Sequence, residues 1–190
     1  MPRFTKIPAD TFDVMQLDAG MLLYDFDPAN PAEPTDEDII TATTGGIRID
    51  CIPSYIDMGE DVDNCPVNML ELKKHSGWDC RVGFSALNTS VKFLRLALGA
   101  ADVDSASNKV TLRRSLDVDK DYSNVWWVGS RADGGAVAIC LKNALSTGGL
   151  SLQTTKNGKT TIACELTGHV SIDEQDDMPM EFYVFEPEAA

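Results

Sequence analysis

Histidine, cysteine pairs and long apolar runs are scarce in this chain of 190 residues. Its two histidines, His75 and His169, stand at neither helical nor strand spacing from a carboxylate and a nucleophile, so the sequence predicts no catalytic set. The five cysteines include no C-x-x-C pair, which argues against a zinc knuckle or a disulfide framework. No stretch approaches the roughly 20 apolar residues that cross a bilayer, and the first ten residues lack a signal-peptide core. We therefore expect a protein made in a cytoplasm, with reduced thiols, no enzyme activity, no cofactor, no bound metal and no membrane contact.

Two ligand-binding motifs are incomplete. The segment from Gly129 to Gly135 lacks the Lys-Ser/Thr ending of a phosphate-binding loop. The carboxylates of residues 117–121 alternate like those of a calcium loop, but Tyr122 and Val128 stand where an EF-hand has glycine and glutamate. A solvated turn is therefore favoured there. A soluble β-sandwich module that binds a glycan or calcium through its loops remains an alternative.

The 30 acids and 16 bases give a net charge of -14 that is unevenly distributed. Residues 1–70 hold 14 acids and 3 bases, residues 71–159 hold 8 acids and 13 bases, and residues 160–190 hold 8 acids and no base. A head-to-tail assembly can use this partition to bring the acidic ends of one copy onto the basic middle of another. The alternative is simple solvation of the charges. The acidic total argues against nucleic-acid binding through a basic patch.

Alternating side chains predict a mainly β fold of antiparallel sheets, in a sandwich or barrel-like arrangement. The pattern is clearest where five apolar side chains share one face of a strand: Trp78, Cys80, Val82, Phe84 and Ala86. A second strand, residues 46–51, is ended or marked as an edge by Pro53. Both faces are apolar from Ala136 to Leu141, which predicts a central strand buried on both sides.

A single α-helix is predicted around residues 89–98, packed against the sheet. Asn88 to Ser90 are helix-capping residues, the apolar stripe has helical spacing, and Gly99 follows as a stop. Further strands are predicted at 109–116 and 125–128. In the latter, adjacent Trp126 and Trp127 should point to opposite faces, one into the core and one outward as part of an interface or a sugar platform.

The hairpin register of residues 150–166 follows from its apolar faces. A two-residue turn at Asn157 and Gly158 places Ile162 opposite Gln153, so the apolar faces disagree. A three-residue loop, with left-handed Gly158 in a bulge, places Leu152 opposite Ile162 and Leu150 opposite Cys164. We predict that register.

A long early loop, about residues 28–44, is predicted after a first strand at 20–26. Pro28, Pro31 and Pro34 hold it extended, and its second half is acidic and then threonine-rich. Loops of this length are commonly functional or disordered. The last strand places Met178, Met180, Phe182 and Val184 on one face and is followed by an acidic C-terminal arm, about residues 181–190.

These features resemble the major tail tube proteins of long-tailed, siphovirus-like bacteriophages. The likeness covers an acidic, mainly β chain with one helix after its central strand and a long early loop. It includes the early strand and acidic turn between Gly45 and Asn64, and the closing segments Leu166–Asp173 and Pro179–Val184.

The resemblance implies one tail-tube-like β domain over residues 1–190, which forms rings, commonly of six. The inner strands of these rings join around a lumen, and stacked rings make a tube that DNA traverses without specific binding. The implied partners are the protein itself and the tail tip, terminator and tape measure proteins. The implied location is the virion tail, assembled in the host cytoplasm.

In that family the early loop and the chain ends often bridge rings, which implies an oligomer interface at the following residues: Pro28, Pro31, Pro34, Asp36, Glu37, Asp38, Thr41, Thr43, Glu186 and Glu188. Deletion of residues 28–44 is then expected to leave a folded subunit that does not stack. The family also tends to line its bore with acid. The hypothesis requires unpaired sheet edges, and another virion part, such as a tail terminator or a capsid decoration protein, is a further alternative.

Overall fold

The computed structural model describes residues 6–187. Its ten strands are β1 (Met21–Leu23), β2 (Thr43–Asp57), β3 (Lys73–Ala86), β4 (Ala101–Asp104), β5 (Lys109–Leu112), β6 (Ser123–Ser130), β7 (Ala136–Ser146), β8 (Ser151–Gln153), β9 (Thr161–Thr167) and β10 (Met180–Phe185). The helices are α1 (Val91–Leu98), the single turn α2 (Val118–Asp121) and a 3₁₀ turn (Leu70–Leu72). This confirms the predicted mainly antiparallel β fold.

Eight strands form one antiparallel sheet in the order β1-β6-β7-β9-β3-β2, with β10 beside β7 and β8 beside β9. β4 and β5 form a separate hairpin. The sheet turns at β7, whose first half pairs with β6 and β10 while Leu145 and Ser146 pair with β9. Asn143 sits at this change of partners with a left-handed φ of 45°, and its side-chain amide donates to the His169 carbonyl at 3.1 Å.

The core lies between the two halves of the curled sheet. Leu22 of β1, Val82 of β3 and Leu141 of β7 belong to one buried cluster, together with Phe93 of α1. Residues 138–141 of β7 are all buried, which confirms the prediction of a central strand covered on both faces. A second cluster on the outer face of β6 and β7 is centred on Trp126.

Helix α1 forms where the sequence predicts it. The Ser90 hydroxyl accepts the Phe93 N–H at 3.2 Å, and Gly99 ends the helix with a φ of 69°. Phe93 and Ala97 are fully buried on the apolar face. An eight-residue helix is marginal alone in water, so this packing is what stabilises it.

The predicted hairpin register is confirmed, but its loop is not. Leu152 lies opposite Ile162, and the last pair before the turn is Gln153 with Thr161. The connection therefore has seven residues rather than three, and Asn157, not Gly158, takes the left-handed conformation. The apolar faces determine the register, whereas the ladder stops early because Leu152 and its flanking residues are exposed and contribute little burial.

Candidate assembly interface

An arm, residues 52–79, extends β2 and β3 beyond the rest of the sheet. β9 pairs with β3 only from Arg81 to Ala86, whereas β2 and β3 remain paired out to Asp57 and Lys73. At about 3.3 Å per residue, the extra pairs project the ribbon by roughly 20 Å. A two-stranded ribbon is marginally stable in water without a third strand or a packing partner.

The arm carries a high density of exposed apolar side chains. Val67 and Leu70 at its tip are 87% and 85% exposed, and Trp78 near its root is 41% exposed. The further exposed apolar residues of the arm are Ile52, Tyr55, Ile56, Met58, Val62 and Met69. Exposed apolar side chains at this density are typical of protein interaction sites.

The tip of the arm is organised by its own hydrogen bonds. The Asp57 carboxylate accepts the Gly59 N–H at 3.0 Å and the Asn68 N–H at 3.3 Å, and Lys73 Nζ donates to Asn68 Oδ1 at 3.0 Å. Lower on the arm, the His75 ring packs against Tyr55 and Trp78, with centroid distances of 5.7 and 5.0 Å. These contacts set the shape of the arm, but they supply neither a third strand nor a core, so the ribbon is marginally stable until a partner covers it.

The tip is also acidic. Residues 57–72 hold five carboxylates and no lysine or arginine. The sequence predicts this acidic turn but not its position at the end of a projecting ribbon. A partner that covers the tip must offer both apolar surface and positive charge.

A second candidate contact is the edge strand β10. It pairs with β7 alone among the described strands, and Phe182 and Val184 are 57% and 61% exposed. Residues 180–185 contain no proline, glycine or lysine, the residues that commonly protect sheet edges. By contrast, the edge strand β2 contains Pro53 and two register shifts. Pro53 thus marks an edge rather than the end of its strand.

An ionic cluster holds β10 in place. Lys142 Nζ lies 2.7 Å from Asp177 Oδ1 and 2.6 Å from Glu181 Oε1, and the Tyr183 hydroxyl donates to Glu181 at 2.6 Å. Burial lowers the pKa of Lys142, but the hydrogen bonds to the two carboxylates outweigh that effect and the net pKa is raised. The same bonds from Lys142 and Tyr183 lower the pKa of Glu181.

A cationic cavity of about 170 Å³ lies beside α1. Lys92, Arg95 and Lys120 line it together with Asp121 and with Tyr24, whose ring centroid lies 4.0 Å from Lys92 Nζ. Lys120 also pairs with Asp117 at 2.9 Å. Lys92 and Arg95 donate to the backbone carbonyls of residues 37 and 120 rather than to carboxylates. The buried Tyr24 hydroxyl has no hydrogen-bond partner in the described structure, and burial raises its pKa to about 12. These donors fit an incoming carboxylate.

Only part of the early loop is exposed to solvent. Pro31, Asp36 and Glu37 are exposed as expected for contact residues, and Pro28, Pro34 and Asp38 are half-buried. Phe26, just before the loop, packs on Trp126 with a centroid distance of 5.4 Å. Asp38 accepts the Thr35 N–H and hydroxyl, which lower its pKa.

The last residues of the early loop pack within their own subunit. Ile40 and Thr41 are buried, and the Ile40 N–H donates to the Leu22 carbonyl. Thr43 already lies in β2, paired with Ala86. Thr41 is therefore unavailable to a neighbouring copy. Because deletion of residues 28–44 also removes the buried Ile40 and the first two residues of β2, we expect it to destabilise the subunit rather than leave it folded. A deletion confined to residues 28–36 spares the buried part.

Glu186 and Glu188 were expected at an interface near the chain end. The Glu186 carboxylate lies 3.5 Å from the Arg131 guanidinium and is otherwise exposed. Glu188 lies outside the described residues.

The prediction that one of the paired tryptophans points outward is wrong. Trp126 is buried in the outer cluster, and Trp127 is half-buried against the main core, where its indole N–H donates to the Ala19 carbonyl at 2.9 Å. The residues before β1 and the early loop each cover one face of β6, so neither ring forms a platform. Gly20, with a φ of 68°, lies against the Trp127 ring, where a Cβ would clash.

The polar residues considered as reactive sites make other contacts. His169 Nδ1 lies 3.1 Å from the Asn143 carbonyl oxygen. Asp117 caps α2, and the buried Asp121 pairs with Arg113. Within residues 6–187, no group of three or more histidine, cysteine, aspartate or glutamate side chains is close enough to hold a metal ion. No helix of that range has the length and apolar character needed to cross a membrane.

No protein-family model matches the chain, and no curated protein matches it in sequence. Its function therefore has to be argued from the arm, the β10 edge and the charges.

Proposed function

We propose that this protein is a structural subunit that assembles with copies of itself into stacked rings, forming the tail tube of a bacteriophage. The observation that carries the proposal is the arm, a projecting ribbon that carries many exposed apolar side chains among the described residues. Leaving that surface in water is unfavourable, and a repeating contact between identical subunits would cover it in every copy except those at the ends.

Within a ring, the β10 edge supports lateral association. On the side away from β7, no described strand pairs with its backbone, so a strand of the next subunit could pair there, and Phe182 and Val184 would gain cover from the same contact. Such pairing extends the sheet from subunit to subunit. The assembly closes into a ring if the rotation between neighbours divides a full turn and carries no shift along the axis.

Between rings, the arm and the cationic cavity are complementary. The tip combines exposed apolar side chains with five carboxylates, and the cavity gathers Lys92, Arg95 and Lys120 around an unpartnered hydroxyl. A tip carboxylate that entered the cavity would form charge-assisted hydrogen bonds there. The heterologous contact would propagate along an axis rather than end in a dimer.

The net charge of -14 supports a role as a conduit for DNA. An acidic wall repels phosphate, so a passing duplex is not retained by the counterion-release attraction that basic surfaces provide. The tube is then a passage that DNA crosses without specific binding.

The arm contact is tested by a double variant, Val67→Ser with Leu70→Ser, in sedimentation velocity and negative-stain electron microscopy. We expect the unchanged protein to form rings or tubes at high concentration, with tail-tip components added as initiators. The double variant should remain a folded small species. The control is Val118→Ser, which alters a 77% exposed valine on α2 and should leave assembly intact. A strictly monomeric unchanged protein, with initiators present, would contradict the proposal.

The edge contact is tested with Val184→Lys, which places a charge on the free edge strand. Assembly should fall at least tenfold because the lysine opposes edge pairing. Val170→Lys, at another exposed valine outside the strands, is the matched control. Equal loss in both variants would show that charge alone, rather than the β10 edge, is responsible.

A further inference from the structure

Cys51 and Cys80 face each other at the root of the arm. They are directly opposed residues of β2 and β3, and their sulfur atoms lie 3.2 Å apart. Cys80 is the residue next to Arg81, where pairing of β3 with β9 ends. The two thiols therefore span the point at which the arm leaves the sheet.

The backbone at this pair suits a covalent bond. Opposed residues of an antiparallel ladder have Cα atoms about 4.5–5.5 Å apart, within the range of about 4.4–6.8 Å that disulfides require. The sulfur atoms need to approach to about 2.0 Å, which side-chain rotation can supply. No other two of the five cysteines are in sulfur contact, and Cys65 instead lies against Met69.

Access differs between the two thiols. Cys51 is half-buried at the margin of the main core and can meet a small oxidant, whereas Cys80 is 1% exposed within that core. This arrangement separates an attacking thiol from a resolving thiol.

We propose that Cys51 and Cys80 are a dithiol oxidation site that forms an intramolecular disulfide with a low-molecular-weight disulfide as the oxidant. The Cys51 thiolate attacks one sulfur of the oxidant and expels a thiolate, leaving a mixed disulfide. Cys80 then attacks the Cys51 sulfur and expels the second thiolate, which takes up the proton that Cys80 gives up. The protein loses two electrons and two protons, and the oxidant becomes two thiols.

The bond would join the two strands of the arm covalently at its root. A reducing cytoplasm keeps the pair as thiols, and an oxidising exterior permits the bond. The expectation that the bond forms only after the protein leaves the cytoplasm rests on the proposed function, because a virion passes from a reducing to an oxidising environment. The ability of the two thiols to form the bond does not depend on the proposed function.

The test treats the purified full chain with oxidised glutathione, blocks the remaining thiols with an alkylating reagent, and maps the unreduced digest by mass spectrometry. We expect a cross-link between the peptides that contain Cys51 and Cys80, with three thiols left free. Cys51→Ser should abolish the cross-link, and the matched control Cys65→Ser, at another half-buried cysteine, should retain it. Glutathione attached to Cys51 without a cross-link, or a cross-link between chains, would overturn the proposal.

Thermal melting provides a second readout. The oxidised protein should melt about 5–10 °C above the reduced protein, as expected for a disulfide that closes a loop of this length in a chain of this size. Cys51→Ala should show no such shift after the same treatment. If the cross-link forms while the protein fails to assemble, the oxidation site stands and the tube proposal fails. If tubes form without any cross-link, the tube proposal is supported and the oxidation site is ruled out.

Discussion

The body, meaning the curled sheet outside residues 52–79 together with α1, shares strands β2 and β3 with the arm, but these strands are covered differently in the two regions. On one face of β3, Cys80, Val82 and Phe84 are 1%, 2% and 6% exposed, whereas Trp78 on the same face is 41% exposed. The change coincides with the end of pairing to β9. From Arg81 to Ala86 the sheet has β9 as a third strand and a core beneath it. In residues 52–79 the described structure shows neither.

This difference teaches that the body is stabilised within one subunit, while the arm would gain comparable cover only from the proposed contact with other copies. Substitutions in the body should reduce the free energy of unfolding. Substitutions in the arm should leave that quantity nearly unchanged and reduce assembly instead.

The largest effect is expected from Phe93→Ala. The ring is fully buried in the main core, and phenylalanine-to-alanine changes at such positions cost about 3–5 kcal/mol. Urea unfolding monitored by tryptophan fluorescence measures the change. A loss below about 1 kcal/mol would show that α1 is not part of the stabilising body.

Asp121→Ala should follow, with a loss of about 3 kcal/mol. The Asp121 carboxylate is fully buried, pairs with Arg113 and accepts the Asp117 N–H at 2.8 Å, so its removal leaves a largely buried guanidinium without this partner. Lys120→Ala, which breaks only an exposed ion pair with Asp117, is the control and should change stability by at most about 1 kcal/mol. Similar losses in both variants would contradict the assignment.

Acid should loosen the β10 edge. The pKa of Glu181 is lowered in the folded state, so its stabilising contribution is present above the ordinary glutamate pKa of about 4.3 and is lost as the pH falls through the lower, folded value. Hydrogen exchange at residues 180–185 should therefore accelerate, relative to the intrinsic rate, as the pH falls below about 4. In Glu181→Gln this pH-dependent step should be absent. An unchanged step in that variant would assign it to another group.

The smallest effect on folding is expected from Leu70→Ser. Its side chain is 85% exposed, and substitutions at such sites usually change stability by less than about 0.5 kcal/mol. Urea unfolding of the isolated subunit is the measurement. A loss of 2 kcal/mol would mean that the tip is packed within its own subunit, which removes the distinction between arm and body.

Periodicity predicted the body better than it predicted the arm. The alternation from Trp78 to Ala86 correctly assigns one face of β3, and the Leu152–Ile162 register follows because apolar side chains must share a face. The same alternation does not indicate where the neighbouring strand ends, since β9 comes from a distant part of the sequence. Trp78 therefore looked like a core residue.

Local sequence also predicted side-chain exposure wrongly where a segment distant in the chain covers the residue. Trp127 was expected to alternate with Trp126 between core and solvent, but residues before β1 and the early loop cover both faces of β6. Likewise, Thr41 looked like a polar loop residue although it is buried beside Ile40. The Cys51–Cys80 contact and the cationic cavity depend on strand pairing and helix placement, which spacing along the chain does not encode.

The most direct test of the dependence of the arm on other copies is hydrogen–deuterium exchange at increasing protein concentration, comparing residues 52–79 with residues 80–86. We expect the body segment to be protected at every concentration and the arm segment to become protected only as assemblies form. Arm exchange that stays the same from dilute monomer to the highest concentration, with tail-tip components present, would contradict this account.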